Sequence, residues 1–374
     1  MYKKIMGLAL ISSLAAAQPA SKTIVVGEKI VKENPWRNGL IKKQYAVAIE
    51  QALTEHRAKN PRSTIRIIES FDENSIQGFA LAEREHALGV LGYLYSTESF
   101  EASQIAASKK IPYLTPVSPL VSINNEYAYS LAASHDELKA SFKALSKKIG
   151  ARSIVIMPET FLPNFEYERL FREAFHVVET FRGSTAQVWP KIKEGLATLT
   201  KNGSINILFA GFAFEHVDLV KLLGESSFAG KVNLIGHSQW VYNEVFLQGM
   251  MPTEIQNFLA VSDYMDLARS VPKELSPSPQ SITSHTAFKA ALKNAQTTED
   301  QTLDEPIVYV LKDMITLALI AAEKSSTRDD FNKHYSTCEL AGASGDIKIN
   351  NKKSYRKVYL ERWKNKSFAA ETAL

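Results

Sequence analysis

The sequence has one cysteine, Cys338, among its 374 residues. That excludes a disulfide framework and any cysteine-based zinc site. The eight histidines form no H-x-x-x-H or H-E-x-x-H pair, so the spacing that sets two imidazoles on one helix face is missing. No G-x-x-x-x-G-K-[ST] and no G-x-G-x-x-G occurs, which removes two common phosphate-cradling loops. Beyond the first residues, no stretch approaches the ~20 apolar residues of a membrane span. Residues 315–322 are apolar, but the run is short and flanked by charges. Charge of one sign is scarce too. Lys+Arg number 44 against 40 Asp+Glu, a net +4, too weak to point to nucleic acid. What remains is an ordinary composition, 45% hydrophobic and 10% aromatic. It excludes disorder, collagen and coiled coil, and the length suggests two domains or one large one.

The first residues have their own pattern. Tyr2-Lys3-Lys4 is a short basic head, and residues 5–14 form an apolar run broken only by Gly7, Ser12 and Ser13. Ala15-Ala16-Ala17 then offers an A-x-A site before Gln18-Pro19. This three-part order predicts a secretory signal peptide over 1–17, cleaved near Ala17. The other reading, a buried N-terminal helix, lacks a polar face at the helical period. No cysteine stands at the cleavage point, so a lipoprotein-type anchor is not expected. Removal of Lys3 and Lys4 brings the chain close to neutrality.

The rest of the chain alternates between strand and helix patterns. Short β-branched or apolar runs predict strands at 23–27, 64–69, 87–94, 111–114, 153–157, 176–181, 205–210 and 231–235. Between them, helical spacing predicts helices at 38–59, 75–86, 97–110, 136–150, 165–175, 187–199 and 214–223. Such alternation means βαβ crossovers and mostly parallel sheets covered by helices. The strands are too many for one compact sheet, so two α/β lobes are expected. The Ser/Pro-rich stretch 270–284 reads as a loop, and two helices follow at 286–295 and 308–323. The tail reads as a hairpin of 346–349 with 358–360, Asn350-Asn351 at the turn.

Several segments in this order carry a resemblance. Val90 to Thr97 is a strand with a Ser-containing turn before a helix. Ile111-Pro112-Tyr113-Leu114-Thr115-Pro116-Val117-Ser118-Pro119 is a strand followed by a polar loop. Ala210-Gly211-Phe212-Ala213-Phe214 is a glycine–aromatic turn, and Gly342 to Ile349 is a G-x-x-G hairpin. Together they resemble a type I periplasmic binding protein of the branched-chain amino-acid binding kind. The resemblance spans most of the chain past the leader. It implies two Rossmann-like α/β lobes, joined by three hinge crossings near Ala133, Asp263 and Gly342, with the ligand cleft between them. The first lobe would take 22–133 and 264–340, the second 134–263 and 341–374. It also implies a monomer free in the periplasm that captures a small ligand by hinge closure and presents it to an ABC permease, without cofactor, metal or catalytic residues.

Ligand contacts are expected where strands end and helices begin. Ser96 and Thr97 sit at such a start and either cap the helix or donate to a ligand. Thr115 and Ser118 fall in the next strand-end loop. By the resemblance, Ser96, Thr97, Val117 and Ser118 would clamp an anionic group, with Tyr95 beside them. Trp36 would be an aromatic wall. Phe212, Phe214, His237, Ser238 and Trp240 would line the second lobe. One departure matters. Amino-acid binders of this family hold the ligand ammonium with an acidic residue in the loop after 231–235, and Gly236-His237-Ser238-Gln239-Trp240 has none. A protonated histidine would repel an ammonium. This points away from a standard α-amino acid, toward an anionic or neutral amide-like ligand, or toward a protein-interaction scaffold without a small ligand.

The same residues open an enzyme reading. Gly236-His237-Ser238-Gln239 after a strand is similar to the G-x-S-x-G elbow of α/β-hydrolases, with Ser238 as nucleophile and Asp263 or Asp266 with His285 as partners. Trp240 stands where the elbow needs its last glycine. Glu166, Glu168 and Glu173 with Arg169 and Arg172 read as a solvated helix face. Lys352, Lys353, Arg356 and Lys357 read as a basic, edge-protecting hairpin.

Overall fold

The computed structural model describes residues 21–374 except 31–34, 73, 95, 117, 119–124, 151, 159–161, 212, 243–246, 248–256, 265–266, 268–274, 297–304, 351–352 and 365–366. The leader pattern lies outside the described residues.

β-Branched runs form the inner strands because they are covered on both faces. β1 (Thr23–Lys29), β2 (Arg66–Asp72), β3 (Gly89–Gly92), β4 (Tyr113–Thr115) and β5 (Ala128–Ser130) make a parallel sheet in the order β2-β1-β3-β4-β5. Crossovers α1 (Pro35–Lys59), α2 (Ser75–Arg84) and α3 (Ser96–Lys109) cover it. The chain then builds β6 (Ser153–Met157), β7 (Val177–Arg182), β8 (Ile205–Phe209), β9 (Val232–His237) and β10 (Phe258–Ser262) in the corresponding order β7-β6-β8-β9-β10. Its helices are α4 (His135–Ile149), α5 (Leu162–Ala174), α6 (Thr185–Leu199), α7 (Ala213–Gly224) and the short α8 (Ser238–Tyr242). α9 (Pro279–Ala295), α10 (Pro306–Glu323) and α11 (Arg328–Tyr335) return to the first sheet's side. There Lys22 Nζ donates to the carbonyls of Ala322 and Glu323, and Arg328 to those of Ala82 and Ala87. α10 is apolar around most of its circumference and is accordingly buried nearly all round, against α1 among others.

β11 (Glu339–Gly342), β12 (Gly345–Asn350) and β13 (Lys353–Tyr355) form a small antiparallel sheet. β14 (Tyr359–Lys364) and β15 (Ser367–Ala373) then add antiparallel to β10 and complete the second sheet. The chain thus passes from one large sheet to the other after β5, returns to the first sheet's side after β10, and rejoins the second sheet at β14.

The expected helices and strands up to β9 are present, most of them with shifted ends. Three expectations change. Residues 279–284 belong to α9, because Ser278 caps it by accepting from the Ser281 N–H and Pro279 opens it. The hairpin at 350–353 joins β12 to β13, and the 359–364 strand pairs with the second sheet instead. Arg356 is buried rather than at a solvated edge.

The crossings are cross-linked. The Ala133 N–H donates to the Asp263 carboxylate at 2.7 Å. Arg356 donates to Leu131 O at 3.4 Å and to Ser344 O at 2.8 Å, and the Ser354 hydroxyl donates to Leu131 O at 3.3 Å. Asp313 of α10 accepts from the N–H groups of Ala343 and Ser344, each at 2.7 Å, and from the Ser344 hydroxyl at 2.6 Å. Burial pushes the Asp313 carboxyl up, and these donors are what make its burial tolerable.

Candidate functional site

In a sheet of order 2-1-3-4-5, neighbouring strands send their crossovers to opposite faces at one point, leaving a crevice at the carboxyl ends. Both large sheets have that order. In the first, the switch lies between β1 and β3, where Glu28, Tyr93 and Leu94 meet. In the second it lies between β6 and β8, at Pro158 and Gly211.

Tyr93 organises the first crevice. Its ring is fully buried beneath β1, and a side chain on Gly27 would stand 2.7 Å from its hydroxyl. Its backbone is left-handed, φ 58°, a costly conformation for a tyrosine. Its carbonyl accepts from the Ser99 and Thr115 hydroxyls, the latter at 3.2 Å, which turns the chain into α3. Glu28 is wholly buried and accepts from the Tyr45 hydroxyl at 2.8 Å, the Leu94 N–H at 3.0 Å and the Lys29 N–H at 3.1 Å. Burial outweighs these donors and raises its pKa to about 7. Lys29 Nζ lies 3.0 Å from one oxygen of Glu98, in the first turn of α3.

On the second sheet, His237 ends β9. Its Nε2 is 3.0 Å from Gly211 O, and its ring stacks on Tyr167 with centroids 3.6 Å apart. Burial lowers its pKa to about 3, so it is neutral. His216, with Nε2 buried and without a partner, is likewise lowered to about 3. Tyr167 also hydrogen-bonds Ser238.

The expected site residues fall into three groups. Ser96, Thr97, Thr115 and Ser118 are brought to the carboxyl edge of the first sheet, and His237 and Ser238 to that of the second. Within them, Thr97 is exposed, whereas Thr115 is buried and spends its hydroxyl on Tyr93 and Ser99. Ser118 is wholly buried, and its hydroxyl has no partner. Trp240 is not a lining residue. It is fully buried in the core against Phe209, Phe258 and His216. Tyr95, Val117 and Phe212 lie outside the described residues, as do the side chains of Trp36, Ser96 and Phe214.

Of the enzyme-reading residues, His285 is 2.9 Å from Ala343 O and stacks on Tyr309, and Asp263 binds Ala133. Asp266 lies outside the described residues. Glu168 is not solvated, being buried under Arg172 and Arg182. Sequence reasoning missed Glu28, Glu98, Tyr93 and Tyr167. Only Glu28 left a trace, an acidic residue ending an otherwise apolar strand.

A groove of about 640 Å³ opens elsewhere, lined by Glu137, Ser278, Asp346, Lys348 and Tyr355 among others. It is not at either switch point, and Asp346 is already held by Ser278 and Ser281.

No protein-family model matches the sequence, and no curated protein matches it. Solved structures do match over nearly the whole chain. A leucine-binding protein, LivK, from Thermotoga maritima superposes with a TM-score of 0.71 at 17% identity, covering 94% of this chain and 98% of that one. A solute-binding protein of an ABC transporter from Rhodopseudomonas palustris HaA2, in complex with p-hydroxybenzoic acid, gives 0.71 at 16% identity, covering 94% and 96%. The branched-chain amino-acid transporter substrate-binding protein LivJ of Streptococcus pneumoniae, in complex with isoleucine, gives 0.68 at 15%, covering 95% and 99%. These likenesses, with the paired 2-1-3-4-5 sheets, define the class: the chain has the type I periplasmic binding protein fold.

Proposed function

We propose that the protein is an exported solute-binding protein that captures a small molecule between two lobes and delivers it to an ABC transporter. The supporting observation is the placement of orphaned polar atoms. Buried polar groups are nearly always hydrogen-bonded. Of the buried side-chain atoms without partners among the described residues, three, Ser75 Oγ, Glu98 Oε2 and Ser118 Oγ, stand together at the carboxyl edge of the first sheet, while others such as Tyr335 OH lie in the core. An edge that holds buried polar atoms without partners beside a crevice is what a ligand can complete. Solved structures of this fold hold isoleucine and p-hydroxybenzoic acid, which supports a ligand of similar size. The lobes would be 22–133 with 264–340, and 134–263 with 341–374, turning about the cross-linked segments near Ala133, Asp263 and Gly342. Ligand contacts from both lobes favour the closed state. The signal-like leader supports periplasmic delivery, with an ABC permease as partner. Small-angle scattering of the purified protein across a library of small carboxylates, amides and amines tests this reading. A true ligand shrinks the radius of gyration and raises the melting temperature; at 100 times its Kd it adds about 2.7 kcal/mol. If no compound does either, solute capture is wrong.

A further inference from the structure

The three orphaned atoms differ in kind. The hydroxyls of Ser75 and Ser118 can donate or accept, whereas a carboxylate oxygen only accepts. Glu98 stands in the first turn of α3 with its side chain 13% exposed. Lys29 satisfies Oε1, and Oε2 is buried with nothing donating to it. Glu28, behind the same crevice, adds a second carboxyl close enough to repel it. Lys29, 37% exposed, is the cation bonded to Glu98, and it reaches Glu28 only through its backbone N–H. A ligand carboxylate seated at the start of α3 would meet two carboxyl groups and one cation already committed to Glu98. A ligand N–H would instead complete Oε2.

We propose that Glu98 is the specificity-determining residue of the first lobe, that it accepts a hydrogen bond from a nitrogen-bearing group of the ligand (an ammonium, amidine or amide), and that ligands presenting only a carboxylate there are rejected. This rests on the solute-binding reading above and deepens it. It also revises the expectation of an anion clamp at Ser96, Thr97, Val117 and Ser118. The acidic partner absent from the loop after β9 is supplied from the opposite lobe. The uncompensated oxygen is then a cost the empty protein bears for recognition.

The experiment uses the whole mature chain and two matched probe series: benzoate, benzamide and benzamidine; isovalerate, isovaleramide and isoamylamine. The expected result is stabilisation and measurable binding by nitrogen-bearing members and none by the carboxylates. E98Q should weaken the best nitrogen probe at least tenfold, and Glu98→Asp should fall between. Ligand-free E98Q should melt about 1–2 °C higher than wild type at pH 8, because removing the donorless Oε2 and the repulsion with Glu28 outweighs the weakened, partly exposed Lys29 pair. Preference for the carboxylates, or a nitrogen preference unchanged in E98Q, overturns the inference and leaves solute binding standing. A lower melting point of ligand-free E98Q also overturns it, since the carboxylate would then be structural. Binding of none of the six probes, with no compaction by any library compound, overturns solute capture itself.

Discussion

Glu28 is a carboxyl whose charge the fold resists. Its pKa rises from 4.5 to about 7 because burial disfavours the ionised form. The stability linked to its proton is therefore complete below pH 4.5 and lost as pH rises through 7. His216 and His237 act in the opposite sense. Their values fall from 6.5 to about 3, so their contribution is complete above pH 6.5 and lost as pH falls toward 3. Two histidines outweigh one carboxyl below neutrality, so stability should peak near pH 7. Glu28→Gln keeps an acceptor for the Leu94 N–H and removes the alkaline loss. The variant should match wild type near pH 4 and exceed it by up to about 3 kcal/mol at pH 8, read by urea unfolding at both values. At this scale the sequence was least legible. Thr115 and Ser118 are three residues apart in one loop, yet one hydroxyl is consumed by Tyr93 and the other is unpartnered. Nothing in a strand-end Thr or Ser says whether a neighbour's carbonyl will reach it. Trp240 misled for a similar reason, because aromatic residues suit both clefts and cores.

Elements were far easier to read. β6 agrees with its expected span residue for residue, since Ser153 to Met157 is a short apolar run between polar segments. α10 announces its burial by being apolar all round. β5, β10 and α11 escaped notice. Ala128–Ser130 is too short for a period to show, and α11 carries charge on four of its eight positions while burying only Phe331 and Tyr335. The hairpin partner of β12 was misassigned because 353–355 has three residues and no alternation signal, whereas 359–364 has a strand's composition. Inside α10, Asp313 breaks the apolar surface to hold the turn between β11 and β12. Asp313→Ala would leave two buried N–H groups without acceptors and should cost about 3–5 kcal/mol by chemical denaturation. Gly342→Ala should also destabilise, because its Cβ would collide with the Asp313 carboxylate. A double variant that loses no more than Asp313→Ala alone would show that both act through this one contact.

For the whole molecule, the alternation of strands and helices made the paired α/β architecture legible, while the polar links between distant segments were not. Asp263 is 130 residues from Ala133 and Arg356 is 225 from Leu131, and no local pattern marks such pairs. The interleaved path has a consequence for how the chain is made. The first sheet is complete by Ser130, but the second sheet waits for β14 and β15, which end at Ala373. Until then β10 is an open edge of buried residues, Phe258–Ser262, the kind of edge that recruits other chains. A chain ending after Lys357 should therefore aggregate on refolding while the full chain stays monodisperse by light scattering. The second sheet thus gains its outer strands only after every other strand and helix has been made, so its folding is gated by the order of synthesis rather than by local propensity.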